Sequence, residues 1–153
     1  MSNKKHIFVA EDSDDDFYFL ERAFSRQKPA VELCRARDGI SAVEVLRGYL
    51  SAFATPDLIL LDLKIPGLDG LDVLRWIRAQ DGFRRIAVVI LSSSDQPENV
   101  CQAYDAGATS FLVKPGSLTQ LQELVEAMSS YWFKWCVPPP RLREESRFDA
   151  VLR

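Results

Sequence analysis

The sequence predicts an α/β domain built on a doubly wound, five-stranded parallel sheet. Three observations carry this expectation. Five short apolar runs alternate with five stretches of helical periodicity, joined by connections of a few residues. Two of the runs, at residues 58–61 and 87–91, are apolar at every position, as are strands buried on both faces of a parallel sheet. Groups capable of chemistry close four of the runs, and ligands of open α/β sheets bind outside the carboxyl ends of the strands.

Residues 6–10 form the first strand and run into Glu11 and Asp12. Ser13 or Asp14 caps the first helix, where the carboxylates of Asp14, Asp15 and Asp16 suit the helix dipole, and Phe17, Leu20 and Phe24 give it an apolar face. Residues 31–34 alternate in polarity, as a strand at a sheet margin does. Asp38-Gly39 turns the chain into a second helix marked by Val43, Leu46 and Leu50, which Thr55-Pro56-Asp57 ends. The central strand, residues 58–61, runs into Asp62 and a loop punctuated by Pro66, Gly67 and Gly70. Leu71, Leu74 and Ile77 mark a third helix. The fourth strand, residues 87–91, ends in Ser92-Ser93-Ser94-Asp95. Pro97 suits the first turn of a fourth helix, whose apolar face is weak (Val100, Ala103, Tyr104) and which stops at Gly107. Residues 111–113 form the fifth strand and end in Lys114-Pro115, and a long helix begins near Leu118.

Composition narrows the function. A chain of 153 residues holds one ordinary domain, and 47% hydrophobic with 27% charged residues makes it globular rather than disordered. A net charge of −3 leaves no electrostatic footprint for nucleic acid. No apolar run approaches the roughly 20 residues of a membrane span, so no membrane association is expected. The chain enters its first strand within a few residues, which leaves no room for a signal peptide. Cys34, Cys101 and Cys136 are scattered and form no CxxC pair, which suits a reduced cytoplasmic compartment. His6 is the only histidine, which excludes a multi-histidine metal site; at the head of a strand it also argues against a Ser-His-Asp triad.

Taken singly, each strand-end group has a bland reading. Asp62 alone is a loop carboxylate that caps the next helix, and the acidic run from Glu11 to Asp16 is a solvated helix start. That reading suffices for Asp14, Asp15 and Asp16. Glu11 and Asp12 differ, because they lie on the last step of their strand and point at the same sheet edge as Asp62. Three carboxylates gathered there repel one another unless a cation sits among them. All-oxygen ligation suits a hard divalent ion, and Mg2+ is the expected one. Lys114 and Ser92 can aim donors at phosphoryl oxygens, and an Asp carboxylate can itself accept a phosphoryl group. The set reads as Mg2+-assisted phosphoryl transfer onto Asp62.

These residues stand in four motifs: Val9-Ala10-Glu11-Asp12; Leu61-Asp62 with Pro66-Gly67 and Asp69-Gly70; Leu91-Ser92-Ser93-Ser94; and Phe111-Leu112-Val113-Lys114-Pro115. Together they resemble the response-regulator receiver domain of two-component signalling, over residues 5–135. The resemblance implies a flavodoxin-like (βα)5 fold. It implies a phospho-accepting signalling domain, not an enzyme, that takes a phosphoryl group from a histidine kinase on Asp62. It implies Mg2+ held by Asp12, Asp62 and the backbone carbonyl of Lys64, with Glu11 acting through a metal-bound water. Ser92, where threonine is commoner, would bond a phosphoryl oxygen, and Lys114 would pair with the phosphoryl charge. Phe111 matches an aromatic position that turns inward on activation, and the peptide bond before Pro115 matches one that is cis. The Lys64 side chain either tunes hydrolysis of the aspartyl phosphate or is simply solvated.

Only 36 residues follow Ser117, too few for the final helix and a helix-turn-helix output domain, so no DNA binding is expected. The chain is further similar to the stand-alone receivers that partner phytochrome kinases. The features shared are a polar loop after Leu91, Tyr104 before Gly107 and the aromatic extension at residues 131–135. Residues 1–137 make the receiver domain with its long C-terminal helix, and residues 138–153 a Pro-rich tail of mixed charge, in which Phe148, Val151 and Leu152 suit one amphipathic turn. A final helix of about 18 residues, roughly 27 Å long, outruns the strands that it covers. Leu121, Leu124, Met128, Tyr131 and Trp135 recur at spacings of three and four, like the seam of paired helices. A homodimer is therefore expected, with Leu124, Met128, Tyr131, Trp132 and Trp135 at its interface. Alternatively, the rings fold back over the domain's own edge under a lid of Pro138-Pro139-Pro140.

Two other function classes compete. An aspartate-nucleophile phosphatase needs a second Asp two residues after the first, where Lys64 stands; a P-loop NTPase needs a GxxxxGK run that is missing. A receiver fold used only as a binding module, without phosphorylation, usually loses the acidic pair or the lysine. This chain keeps both.

Overall fold

The computed structural model describes residues 4–140; Phe148, Val151 and Leu152 lie outside the described residues. The strands are β1 (Lys5–Ala10), β2 (Val31–Ala36), β3 (Leu58–Leu61), β4 (Val88–Ser92) and β5 (Ser110–Val113). The helices are α1 (Asp14–Phe24), α2 (Gly39–Ser51), α3 (Gly70–Ala79), α4 (Pro97–Asp105) and α5 (Leu118–Ser130). All five strands pair in parallel in the order β2-β1-β3-β4-β5. The expected doubly wound sheet is the one that forms, and its winding reverses at β1, beside β3.

The strand pleat sends successive side chains to opposite faces. Phe8, Ala10, Ile59, Leu61, Val88 and Ile90 join one core, which α2, α3 and α4 cover. Ile7, Val9, Leu58, Leu60, Val89 and Leu91 join the other, under α1 and α5. Both faces are therefore dry, which is why β3 and β4 read as unbroken apolar runs. α4 buries only Ala103, the physical counterpart of its weak apolar face.

The last helix departs from the expectation. α5 stops at Ser130 after about 20 Å of rise. Tyr131–Trp135 follows as a single π turn, and the Cys136 N–H donates to the Tyr131 carbonyl at 2.7 Å. A wider turn breaks the spacing of three and four on which the paired-helix seam rested. Met128 is not an interface residue: it is only 3% exposed, inside the core beneath α1 and α5, because it shares the sheet-facing side of α5 with Val125. Leu124, Trp132 and Phe133 are half-buried against that core, whereas Tyr131 and Trp135 stay 56% and 71% exposed. Pro138, Pro139 and Pro140 line a groove of about 830 Å³ that Tyr131 and Trp132 also line. The aromatic cluster is thus divided, part folded back on its own domain and part presented to solvent.

Candidate functional site

The sheet delivers Asp62 by extending its ladder one residue beyond β3, where the Asp62 N–H donates to the Ala10 carbonyl at 3.1 Å. The loop behind it is pressed flat against two helix starts. A Cβ on Gly70 would lie 2.2 Å from the Asp62 carbonyl oxygen, and one on Gly39 would lie 1.9 Å from that of Leu68, so neither position admits a side chain. The N-cap of α3 is Asp69, which accepts from the Asp72 N–H at 2.8 Å. The bland role for Asp62 is therefore filled by another residue. The Asp62 carboxylate, 7% exposed, is turned to the site instead: Oδ1 accepts from the Lys64 N–H at 3.0 Å and Oδ2 from Lys114 Nζ at 2.9 Å.

Glu11, Asp12 and Asp62 each contribute a carboxylate oxygen to a cluster whose members all lie within 4.8 Å of one another. Lys114, carried just past β5, answers them from the side. Its Nζ lies 2.5 Å from Glu11 Oε1 and 2.9 Å from both Asp62 Oδ2 and Asp16 Oδ2. Burial pushes the Glu11 carboxyl up to about 7; the Lys114 ammonium opposes that rise and the Asp62 charge adds to it. Burial alone would lower Lys114, but its three carboxylates outweigh it and hold the ammonium charged, above the ordinary lysine range. Such an oxygen-only donor set, short of positive charge, fits a hard divalent cation.

The site holds two further residues that the sequence reading left out. Arg35 Nε donates to the Glu11 carbonyl at 3.0 Å, its Nη1 reaches Asp14 Oδ1 at 2.8 Å, and its guanidinium stacks 4.7 Å from the Phe17 ring centre. Arg35 and Arg37 together hold the Asp14 carboxyl below the usual carboxylate range. Arg35 escaped notice because β2 runs two residues past its expected end at 34. Asp16 falls in what reads as a solvated helix start, yet its carboxylate turns inward to Lys114. Its place four residues after Asp12 is the available signal.

The remaining expected residues are placed as follows. Ser92 ends β4, is 1% exposed, and its Oγ accepts from the Ser94 N–H at 3.3 Å. The Lys114 N–H donates to the Ser92 carbonyl at 2.7 Å, which ties the two strand ends together. Phe111 is half-buried against the core under α2, α3 and α4, and its N–H donates to Tyr104 Oη at 3.2 Å. The Lys64 side chain is exposed. The peptide bond before Pro115 is trans, not cis; among the described residues the cis bond is Lys28-Pro29. An X-Pro amide separates its two isomers by only about 0.5–1 kcal/mol, so local sequence does not choose between them.

Comparison with known proteins agrees with this geometry. The family model of the response regulator receiver domain matches residues 7–126. The probable methanogenesis regulatory protein FilR2 of Methanothrix harundinacea is 33% identical over 130 residues, 84% of each chain. Response regulator Rcp1 of Synechocystis sp. is 31% identical over 137 residues, 88% of this chain and 93% of Rcp1. The structure of the phosphorylated cyanobacterial phytochrome response regulator RcpA matches with a TM-score of 0.83 at 33% identity, covering 90% of this chain and 99% of RcpA. The Mn2+-bound form of Rcp1 matches at 0.80 and 31% identity, covering 89% and 99%.

Proposed function

The chain belongs to the response regulator receiver family, and we propose that it accepts a phosphoryl group on Asp62 from the phosphohistidine of a histidine kinase, with Mg2+ as cofactor. One observation carries the reading: a buried carboxylate with no capping duty meets an acidic pair and the Lys114 ammonium at 2.9 Å. The Mn2+ in Rcp1 and the phosphate on RcpA support it by kinship. RcpA is a cyanobacterial phytochrome response regulator, which makes a phytochrome-type kinase the favoured donor.

In the proposed reaction an Asp62 oxygen attacks the donor phosphorus. The P–N bond breaks, and its electron pair leaves with the imidazole, which takes a proton from water. Lys114 and the Ser92 hydroxyl donate to phosphoryl oxygens, where charge is greatest. Asp12, Asp62 and the Lys64 carbonyl would hold the cation, with Glu11 acting through water. When bound, the cation supplies neutralisation of the charge on the transferred group. Phosphorylation then pulls on Ser92 and, through the β4–β5 edge, on Phe111, biasing two packings of that face. The output is protein–protein contact. A second copy of the chain is one such partner, docked over Tyr131, Trp135 and the half-buried Leu124 and Trp132.

The deciding experiment uses acetyl phosphate, Mg2+ and intact-mass spectrometry. One phosphate should add to the parent, none without Mg2+ and none to Asp62→Asn. Undiminished phosphate on Asp62→Asn overturns the assignment. A parent that takes no phosphate favours the receiver fold as a plain binding module.

A further inference from the structure

An ammonium has three N–H donors, and in the resting protein all three donors of Lys114 are spent on carboxylates: Glu11, Asp62 and Asp16. A phosphoryl group passing to Asp62, whose carboxylate is still ionised as transfer begins, must displace one of them to reach Lys114. Glu11 and Asp62 are 4% and 7% exposed, so releasing either strands a charge in a dry site. The Asp16 side chain is 49% exposed and returns to water when released. From this we infer that Asp16 is a positioning residue, which occupies the third donor of Lys114 at rest and yields it to the phosphoryl group. The inference rests on Asp62 being the phosphoryl acceptor.

The local structure shows that Asp16 is not simply capping its helix. It stands three residues after the N-cap Ser13, where a carboxylate commonly returns to the N-cap N–H. Here the Ser13 N–H is turned to Glu11 Oε2 at 3.4 Å, and Ser13 Oγ accepts from the Asp16 N–H at 3.2 Å. The Asp16 carboxylate is left for Lys114, across 98 residues of sequence. An acid in this place makes the resting site slow to charge, because each transfer must first break the Asp16–Lys114 pair. Asp16→Asn weakens that pair and releases the donor beforehand.

The test follows phosphorylation of the full chain by acetyl phosphate with Mg2+ across donor concentrations. Asp16→Asn should raise the maximal rate about fivefold, the size expected of one half-exposed ion pair, with the half-saturating donor concentration unchanged. Asp16→Glu, which keeps the charge on a longer arm, should fall between the two. A maximal rate equal to or below the parent's overturns the inference. So does a change confined to the half-saturating concentration, which would make Asp16 only a repulsive charge at the mouth. A parent that takes no phosphate on Asp62 overturns the proposed function instead, so the two failures are distinct.

Discussion

Replacing Glu11 by Gln should make the metal-free protein more stable above neutral pH. Glu11 is 4% exposed and its carboxyl is pushed up to about 7 from 4.5, with burial as the main cause. The folded state therefore holds this proton more tightly than the unfolded chain. Stability from Glu11 is full in acid and is lost as pH rises from about 4.5 through about 7. At about 1.4 kcal/mol per pH unit, the gap between those values amounts to about 3 kcal/mol. Asp14 and Asp38, whose carboxyls are held below the usual range, act in the opposite direction but only at lower pH, so they leave the interval from 5 to 8 clear. Gln keeps an acceptor for Lys114 and removes the charge. With a urea slope of about 2 kcal/mol per molar, the parent's midpoint in EDTA should fall by about 1.5 M between pH 5 and pH 8. The midpoint of Glu11→Gln should move by less than about half of that. Saturating Mg2+ should restore the parent at pH 8 and help the variant less, because a cation among carboxylates favours the ionised Glu11. A parent whose midpoint is flat or rises over this interval in EDTA, or a variant with the parent's slope, would refute the reasoning.

Two further outcomes test the scaffold and the assembly. Gly70→Ala should cost about 3 kcal/mol by urea denaturation and slow phosphorylation, since its Cβ would lie 2.2 Å from the Asp62 backbone oxygen; the control Gly48→Ala, with nothing within 4 Å, should stabilise by about 0.5–1 kcal/mol. Tyr131→Glu with Trp135→Glu should turn a sedimenting dimer into a folded monomer, while a parent that is monomeric at high micromolar concentration, phosphorylated or not, removes the dimer.

The sheet was legible because both of its faces are dry: β3 is apolar throughout and β4 is apolar up to Ser92, its last residue. The edge strand runs two residues beyond the stretch of alternating polarity, through Arg35 and Ala36. The Arg35 guanidinium stacks on Phe17 and donates to the acidic loop at the Glu11 carbonyl. The end of α5 was less legible still. A spacing of three and four marks an apolar face but not which molecule covers it, so Met128 was placed outward although the sheet takes it. Nothing in Tyr-Trp-Phe-Lys-Trp announces a π turn, since such a turn arises from packing rather than propensity. The residues proposed to hold the metal and the phosphoryl group stand out in the sequence for the opposite reason. Each ends a strand, and strand order in a parallel sheet converts sequence position into a shared edge.

Asp16 was hidden by the same logic that revealed the others. A carboxylate in the first turn of a helix already has a sufficient local reason to be there, so nothing in the sequence asks for a second one. The structure supplies it by the sharing of charge. Glu11, Asp16 and Asp62 share the one ammonium of Lys114, and Asp12 adds a fourth carboxylate beside Glu11 and Asp62. The resting site is thus strongly acidic, which attracts a divalent cation and repels a phosphoryl donor until that cation arrives. In the proposed function, the need for a divalent cation and the release of Asp16 then follow from one shortage of positive charge, whereas the raised Glu11 carboxyl comes chiefly from burial. A fixed second cation in place of Asp16 would relax both together: Asp16→Lys should weaken the Mg2+ dependence of phosphorylation as well as raise its rate. If it raised the rate while leaving the Mg2+ dependence intact, the two effects would have separate causes.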